Sequence, residues 1–220
     1  MLTEPFIALT DYAIALESGA FAGLLLRAYG RSRGAGQGWW AAAFAMTAIA
    51  AALGGTSHGF QHVLSSSIVW VLWRSTLIAI GLASGLMLVG TVGSALRSPW
   101  HVIGLGLMTA LLWVYSLWVV PRWSFTGAIA TYGSSMGVIM LWLIVAPSPT
   151  VRAARRDLLI GILVSGVAAI ALLVLNLLRS PISGDGVYHL IQMVALAFFY
   201  RGALQLNAAP LDAVNPNSRD

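Results

Sequence analysis

Residues 158–178 read LLIGILVSGVAAIALLVLNLL, with Asp157 directly before them and Arg179 directly after them. A helix needs about 20 predominantly apolar residues to cross the hydrocarbon core of a bilayer. This stretch has that length, and no charged side chain interrupts it. It therefore predicts a transmembrane helix, and the fold depends on how often the chain repeats the pattern.

Six further apolar stretches divide the rest of the chain. Turn formers and arginines separate them, as in RSPWH at 97–101 and PSPTVRAARRD at 147–157. We predict an all-α fold, a polytopic integral membrane bundle of seven helices that forms one domain over 1–206 and is followed by a flexible polar tail at 207–220. The predicted spans are 6–27, 39–63, 67–93, 101–120, 124–146, 157–179 and 186–206.

The composition also indicates a membrane protein. Of the 220 residues, 59% are hydrophobic and only 9% are charged, whereas a soluble domain is normally about a quarter charged. The chain contains no cysteine, which excludes disulfides, thiolate catalysis and cysteine-ligated metal centres. All 12 basic residues are arginine, so a retinal Schiff base on lysine is excluded as well.

The distribution of arginine predicts the orientation of the bundle. Nine arginines fall on one side of the predicted membrane, whereas only Arg122 and Arg179 fall in the loops on the other side. Because basic residues concentrate on the cytoplasmic side, we expect the N-terminus outside and the C-terminus in the cytoplasm. The same bias accounts for the basic charge without nucleic acid as a partner, and membrane lipids are the expected partners.

A small group of ionisable residues falls inside the predicted spans. Such residues are costly to place in a membrane, which makes each one a candidate functional residue. With the predicted orientation most of the group lies in the outer half of the membrane, and Glu17 lies close to the midplane. The group consists of Asp11, Glu17, His58, His62, Arg74, Asp185 and His189.

Two spacings within this group are typical of metal sites. His58 and His62 are four residues apart in GGTSHGFQH. Asp185 and His189 repeat that spacing in GDGVYH. Side chains four residues apart on a helix lie on one face and can reach one cation. Three imidazoles and a carboxylate therefore predict a zinc site with a position left for water.

The other ionisable residues take supporting roles in this hypothesis. Asp185 is the fourth ligand or the general base, and Arg74 tunes or positions the site. Glu17 or Asp11 orients an imidazole. Structural alternatives stay open: the imidazoles bond loop backbone, Glu17 pairs with Arg74, or Asp185 caps the seventh helix.

The segments TDYAIALESGAF in the first span, GGTSHGFQH in the second and DGVYHLIQ in the seventh resemble those of the alkaline ceramidase branch of the CREST superfamily. That superfamily includes the adiponectin-receptor group, and its members are seven-helix, zinc-dependent amide hydrolases or their relatives acting on lipids. The segments TDY, GGT-x-HGF and YHLIQ resemble those of uncharacterised bacterial membrane proteins more closely. A bacterial inner (cytoplasmic) membrane is therefore the expected location.

The resemblance also implies which residues would hold zinc. His62 matches the zinc ligand of the second helix with His58 in the place of the family's serine, or His58 matches it with Gly54 in that place. His189 matches the second histidine of the family's His-x-x-x-His motif in the seventh helix, and Asp185 stands where the first would be. The family's aspartate early in the third helix is missing here.

Two hypotheses of function follow from these observations. The first is a metal-dependent hydrolase, with zinc as the metal, that acts on a lipid amide or a similar lipid. Its water would be activated in an outward-opening pocket between the first, second, third and seventh helices. The second is a non-enzymatic accessory subunit, or a lipid- or cofactor-binding scaffold, in a larger complex with other membrane-protein subunits.

Overall fold

The structure, a computed structural model, describes residues 3–94, 103, 105–110, 112–114, 123, 125–145 and 149–206. The regular structure in this part of the chain is entirely α-helical. It comprises seven helices: α1 (Pro5–Ser32), α2 (Ala35–Phe60), α3 (Ser66–Gly93), α4 (Leu105–Val114), α5 (Phe125–Val145), α6 (Pro149–Leu177) and α7 (Gly184–Leu204). The predicted tail at 207–220 and parts of the predicted fourth span lie outside the described residues.

The predicted helical class is confirmed for the described residues. Six of the helices found there are long and apolar enough to cross a membrane, and α4 is the shorter one. Residues 158–178, which predicted a transmembrane helix, lie within α6 and its C-terminal end. The fold is therefore that of a helical bundle with the composition of a membrane protein.

The helices close into a ring. Contacts join α1 to α2, α2 to α3 and α3 to α5. They continue from α5 to α6 and from α6 to α7, and α7 also contacts α1, which closes the ring. The short helix α4 packs on α3, where Gly85 leaves the room that the Thr109 side chain occupies. Closure of the ring makes α1 and α7 neighbours, although they lie at opposite ends of the sequence.

Two serines define where helices begin. Ser65 caps α3 by accepting a hydrogen bond from the Ile68 N–H at 3.4 Å. Ser183 caps α7 by accepting one from the Gly186 N–H at 3.2 Å. Ser183, rather than Asp185, is therefore the N-cap of α7, and Asp185 lies in the first turn near the positive end of the helix dipole.

One end of the bundle is filled by a tightly packed core, and we call it the closed end. It is formed by the N-terminal parts of α2 and α6 and the C-terminal parts of α1, α3 and α7. Trp40 is fully buried there, with ring centroids 6.0 Å from Phe44 and 5.6 Å from Phe199. Its Nε1 donates to the Thr91 hydroxyl at 3.2 Å, so the polar atom of this buried indole is satisfied.

Glycine allows α6 and α7 to approach closely at the closed end. A methyl group added at Gly161 would lie 2.6 Å from the ring of Phe199, and one added at Gly202 would lie 2.6 Å from Leu158. Each large side chain therefore occupies the space that the glycine on the facing helix leaves. Such small residues are typical of closely packed membrane helices.

Candidate functional site

The opposite end of the bundle, which we call the cavity end, encloses a cavity of about 330 Å³. It lies between α1, α2, α3, α5 and α7, and its volume is at the lower end of the range for small-molecule sites, about 300–1,000 Å³. Most of its lining is apolar. The carboxylate, imidazole and amide side chains of the lining are Asp11, His58, Asp185, His189 and Gln192.

Four of these residues are among those that the sequence singled out. These four residues, Asp11, His58, Asp185 and His189, come from α1, α2 and α7, which are neighbours in the ring although α7 is far from the other two in sequence. Because α7 begins at Gly184, Asp185 and His189 lie on one face of that helix, as their spacing predicts. The fold thus gathers two imidazoles and two carboxylates around one interior space.

His62 lies apart from this group. The helix α2 ends at Phe60, and the N–H groups of Val63 and Leu64 bond to the Phe60 carbonyl at 2.9 and 3.0 Å. The helix therefore ends before His62, which lies in a turn and is exposed. The predicted second span continues beyond this end, and His62 does not share a helical face with His58.

Glu17 and Arg74 also lie outside the cavity lining. Glu17 is half-buried on α1, and the Arg74 guanidinium lies 3.9 Å from the Trp70 ring centroid and 4.2 Å from that of Trp123. Among the ion pairs between described residues, none joins Glu17 to Arg74. Arg74 is instead stabilised by cation–π contacts.

Glycines in the second helix allow α1 to approach the site. A methyl group added at Gly55 would lie 3.0 Å from the Asp11 Cβ, so the close approach of the two backbones depends on glycine there. One residue further along each motif, the Tyr12 hydroxyl and the Thr56 hydroxyl are 3.0 Å apart. The TDY and GGT segments are therefore the contact between α1 and α2 that places Asp11 in the cavity.

Each ring nitrogen of His189 has a polar neighbour on α1. The Thr10 hydroxyl donates to the backbone carbonyls of Ile7 and Phe6, at 2.9 and 3.1 Å, and lies 3.0 Å from His189 Nδ1. When its single proton is directed to one of these carbonyls, the hydroxyl accepts from Nδ1–H. The other ring nitrogen, Nε2, then carries a lone pair, and it faces Asp11 Oδ1 at 3.4 Å.

His58 is held in a similar way. Its Nδ1 donates to Glu4 Oε2 at 2.5 Å, because an ionised carboxylate can only accept. The Thr3 N–H donates to the Gly59 carbonyl at 3.1 Å, which fixes the start of α1 against the end of α2 and brings Glu4 to His58. The His58 Nε2 is then the ring nitrogen that carries a lone pair.

Two buried oxygens of the cavity residues lack a partner. Asp11 is 6% exposed and Gln192 is 7% exposed, and neither Asp11 Oδ2 nor Gln192 Oε1 has a hydrogen-bond partner among the described residues. Buried acceptors are normally satisfied, and each exception calls for an explanation such as an ion or a ligand. Both oxygens can be satisfied only by a donor or a cation.

Aromatic rings form one wall of the cavity between the two imidazoles. Trp73 contacts the ring of His58 at 5.8 Å between centroids and that of Phe125 at 6.4 Å. Tyr188 continues the series, 5.8 Å from Phe125 and 5.7 Å from His189. These contacts limit the movement of both imidazole rings.

The cavity residues do not form an assembled metal centre. In the described part of the chain, no group of three His, Cys, Asp or Glu side chains has the close arrangement that would hold a metal ion. Within the cavity lining, His189 and Asp11 form a close pair, with Nε2 and Oδ1 3.4 Å apart. The arrangement therefore consists of one close pair, with His58 and Asp185 in the same cavity.

Sequence reasoning did not identify two residues of the site. Thr10 is uncharged, so it is not among the ionisable residues of the predicted spans, although it stands next to Asp11 in the TDY segment. Glu4 precedes the predicted first span. Its position at the start of α1, level with the end of α2, is the signal that could have connected it to His58.

The structure and its site define an all-helical bundle whose long apolar helices surround an interior cavity with polar groups from several helices. A family model matches residues 6–208, and the chain belongs to this family of unknown function, DUF6962. Comparison with curated proteins and with solved structures finds no match. The resemblance to the CREST superfamily stays a prediction.

Proposed function

We propose that the protein is a metal-dependent membrane hydrolase, with zinc as the metal, that acts on a lipid amide or a similar lipid. The observation that carries the proposal is the distance of 3.4 Å between His189 Nε2 and Asp11 Oδ1, which are both acceptors when the imidazole carries its proton on Nδ1. This is longer than a good N–H···O hydrogen bond, which is about 2.7–3.2 Å. Two atoms that each lie about 2.0–2.1 Å from a tetrahedral zinc ion are about 3.3 Å apart.

The unsatisfied oxygen of Asp11 supports the same proposal. A lone pair on His189 that faces a buried carboxylate requires a cation or a proton between them, and Asp11 Oδ2 has no described partner that could compensate. Nitrogen and carboxylate oxygen are both donors that zinc accepts. The proposed ligands are His189, Asp11 and His58, with Asp185 as a fourth ligand or as the proton acceptor.

The residues around the proposed ligands prepare them for this role. Glu4 and Thr10 each accept from the Nδ1–H of one imidazole, an arrangement that leaves Nε2 available and is typical of ligating histidines. A zinc ion bound there would lower the pKa of a water ligand to about 7 and polarise a carbonyl group. The apolar lining of the cavity is suited to the chain of a lipid and excludes other water.

The proposal includes an orientation in a bacterial inner membrane. Arginines lie at or just beyond the helix ends of the closed end, and the positive-inside bias favours a cytoplasmic location for that end. The cavity end, with the N-terminus, then faces the outside. The arginines in question are Arg27, Arg31, Arg33, Arg152, Arg155, Arg156 and Arg201.

Metal analysis of purified protein tests the proposal, and the chain offers a matched control. We expect about one equivalent of zinc per chain, and less than a tenth of an equivalent after His189→Ala or His58→Ala. The variant His62→Ala should keep the full zinc content, because His62 is exposed and lies away from the cavity. Equal zinc content in all three variants, or less than a tenth of an equivalent in the unaltered protein, would contradict the proposal.

A second candidate function is that of an accessory subunit in a membrane complex. Its support is the face of α1 that points away from the other helices. Gly19 and Gly23 are exposed there, and a methyl group added at either would have no described atom within 4 Å. Glu17, on the same helix, has one buried oxygen without a described partner. Co-purification of a stoichiometric partner that Gly23→Leu abolishes, without zinc in the preparation, would favour this function over the hydrolase.

A further inference from the structure

Gln192 is a polar group of the cavity that the proposed metal centre does not use. It lies three residues after His189 on α7, about 4.5 Å further along the helix axis. Its Nε2 donates to the Tyr132 hydroxyl at 3.1 Å. The same hydroxyl shares a second hydrogen bond with the Ser165 hydroxyl, 3.2 Å away, in which either oxygen can be the donor.

This chain of hydrogen bonds holds the amide of Gln192 in one orientation. The amide nitrogen is engaged, and Oε1 is left buried with no partner in the described residues. Gln192 is 93% buried, since its exposed fraction is 7%. A held, buried acceptor that lines a cavity is positioned to receive a hydrogen bond from whatever occupies that cavity.

The size and lining of the cavity indicate what the occupant is. An apolar cavity of about 150 Å³ holds one benzene molecule, so one of about 330 Å³ has room for roughly a dozen non-hydrogen atoms. Beyond Gln192 the lining continues with apolar side chains, among them Ile80, Met87 and Leu196. The occupant is therefore apolar over most of its length.

We propose that Gln192 Oε1 recognises a hydroxyl or N–H group on an amphiphilic ligand whose apolar chain fills the rest of the cavity. The inference rests on the proposed function, because it assigns a specificity-determining residue to the same cavity. It restricts the substrate to amphiphiles with a donor group near the reacting centre. It does not depend on which residues hold the metal.

Competition between two isomeric amphiphiles tests the inference in protein freed of metal with a chelator. The probes are 1-dodecanol, which can donate a hydrogen bond, and deuterated undecyl methyl ether, which can only accept one. Native mass spectrometry of the detergent-solubilised full chain then measures the ratio of bound alcohol to bound ether. We expect a ratio of about ten, the effect of one hydrogen bond to a buried acceptor.

Two substitutions of glutamine on the same stretch of chain sharpen the test. Gln192→Met keeps the approximate length of the side chain and removes the acceptor, so the ratio should fall to about one while the ether still binds. Gln205→Met is the matched control, since Gln205 bonds Asp157 at the closed end, and it should keep the ratio of the unaltered protein.

The inference is overturned if the unaltered protein binds neither probe, if it shows no preference for the alcohol, or if Gln192→Met retains the preference. Should that variant not fold, a photoreactive dodecanol with a diazirine beside its hydroxyl tests the unaltered protein. Labelling of α7 around Gln192 supports the inference, and labelling confined to other helices overturns it. Since metal is absent throughout, failure here leaves the zinc result of the His189→Ala experiment untouched.

Discussion

The two ends of the bundle place similar polar groups in opposite situations. At the closed end, Asp157 accepts a hydrogen bond from Gln205 at 2.8 Å and lies 3.6 Å from the Arg201 guanidinium. At the cavity end, Asp11 and Gln192 are equally buried, yet each has an oxygen without a partner in the described residues. The buried aspartate at one end thus has neighbours that satisfy it, whereas the buried aspartate and glutamine at the other end each keep an unpaired oxygen.

This difference indicates where the protein binds something. Leaving a buried acceptor unpaired costs about 1–3 kcal/mol, and two such acceptors border one cavity. At the closed end neighbouring side chains complete the hydrogen bonds of Asp157 and Trp40, and the end is filled with large residues such as Trp40 itself. At the cavity end, two buried oxygens keep no partner among the described residues, which supports the proposal that a cation or a donor group binds there.

The largest expected effect is on the packing of the closed end. Gly161→Leu would place a side chain where the ring of Phe199 lies, and we expect it to lower the free energy of unfolding by about 3 kcal/mol. Gly166→Leu on the same helix is the control, because Gly166 is exposed and the described structure leaves space around it. Thermal unfolding in detergent measures both, and equal stability of the two variants would contradict the description of a filled end.

The next effect concerns the carboxylate that holds His58. Glu4→Gln removes the charge that fixes the imidazole, and we expect zinc affinity to fall about tenfold, within the range known for such supporting groups. Glu17 is a carboxylate of α1 that lies outside the cavity lining. The variant Glu17→Gln should therefore leave the zinc affinity unchanged. Titration with a chelator of known affinity measures both, and a larger effect at Glu17 would reverse the assignment of the two carboxylates.

The smallest effect compares the two aspartates directly in protein without metal. Asp11→Asn gives His189 Nε2 a donor in place of an acceptor, so stability should rise by about 1 kcal/mol. Asp157→Asn weakens a satisfied pair with the exposed Arg201, so stability should fall by up to about 1 kcal/mol. Unfolding measured in the presence of a chelator gives both signs, and a loss of stability in Asp11→Asn would show that this pair is already satisfied.

Much of the fold could be predicted from the sequence because membrane helices have a simple signature. A run of about 20 apolar residues is sufficient to predict a span, and residues 158–178 fall in a long helix and its end. Helix boundaries were harder to predict, since Gly59, Phe60 and Gln61 continue the composition of α2 without a strong stop signal. The position of His62 in a turn followed from the early start of α3 at its cap, Ser65.

The candidate site was predicted in part for a similar reason. Asp11, His58, Asp185 and His189 stand out because ionisable residues are rare within apolar spans, and the structure gathers these four at one cavity. The spacing of Gln192 from His189 on one helix places it beside the same cavity, but only the structure shows which of its atoms are bonded. Its unsatisfied oxygen is a property of the surrounding groups rather than of the residue.

The sequence by itself determined that the chain forms apolar helices and that a few polar side chains lie within them, because both depend on local composition. The tertiary structure decided which of those side chains meet, because the closure of α7 onto α1 brings residues together that are far apart in the chain. It also decided which acceptors remain unpaired, since hydrogen bonding depends on neighbours from several helices. The pairing of His189 with Asp11 belongs to that second kind of information.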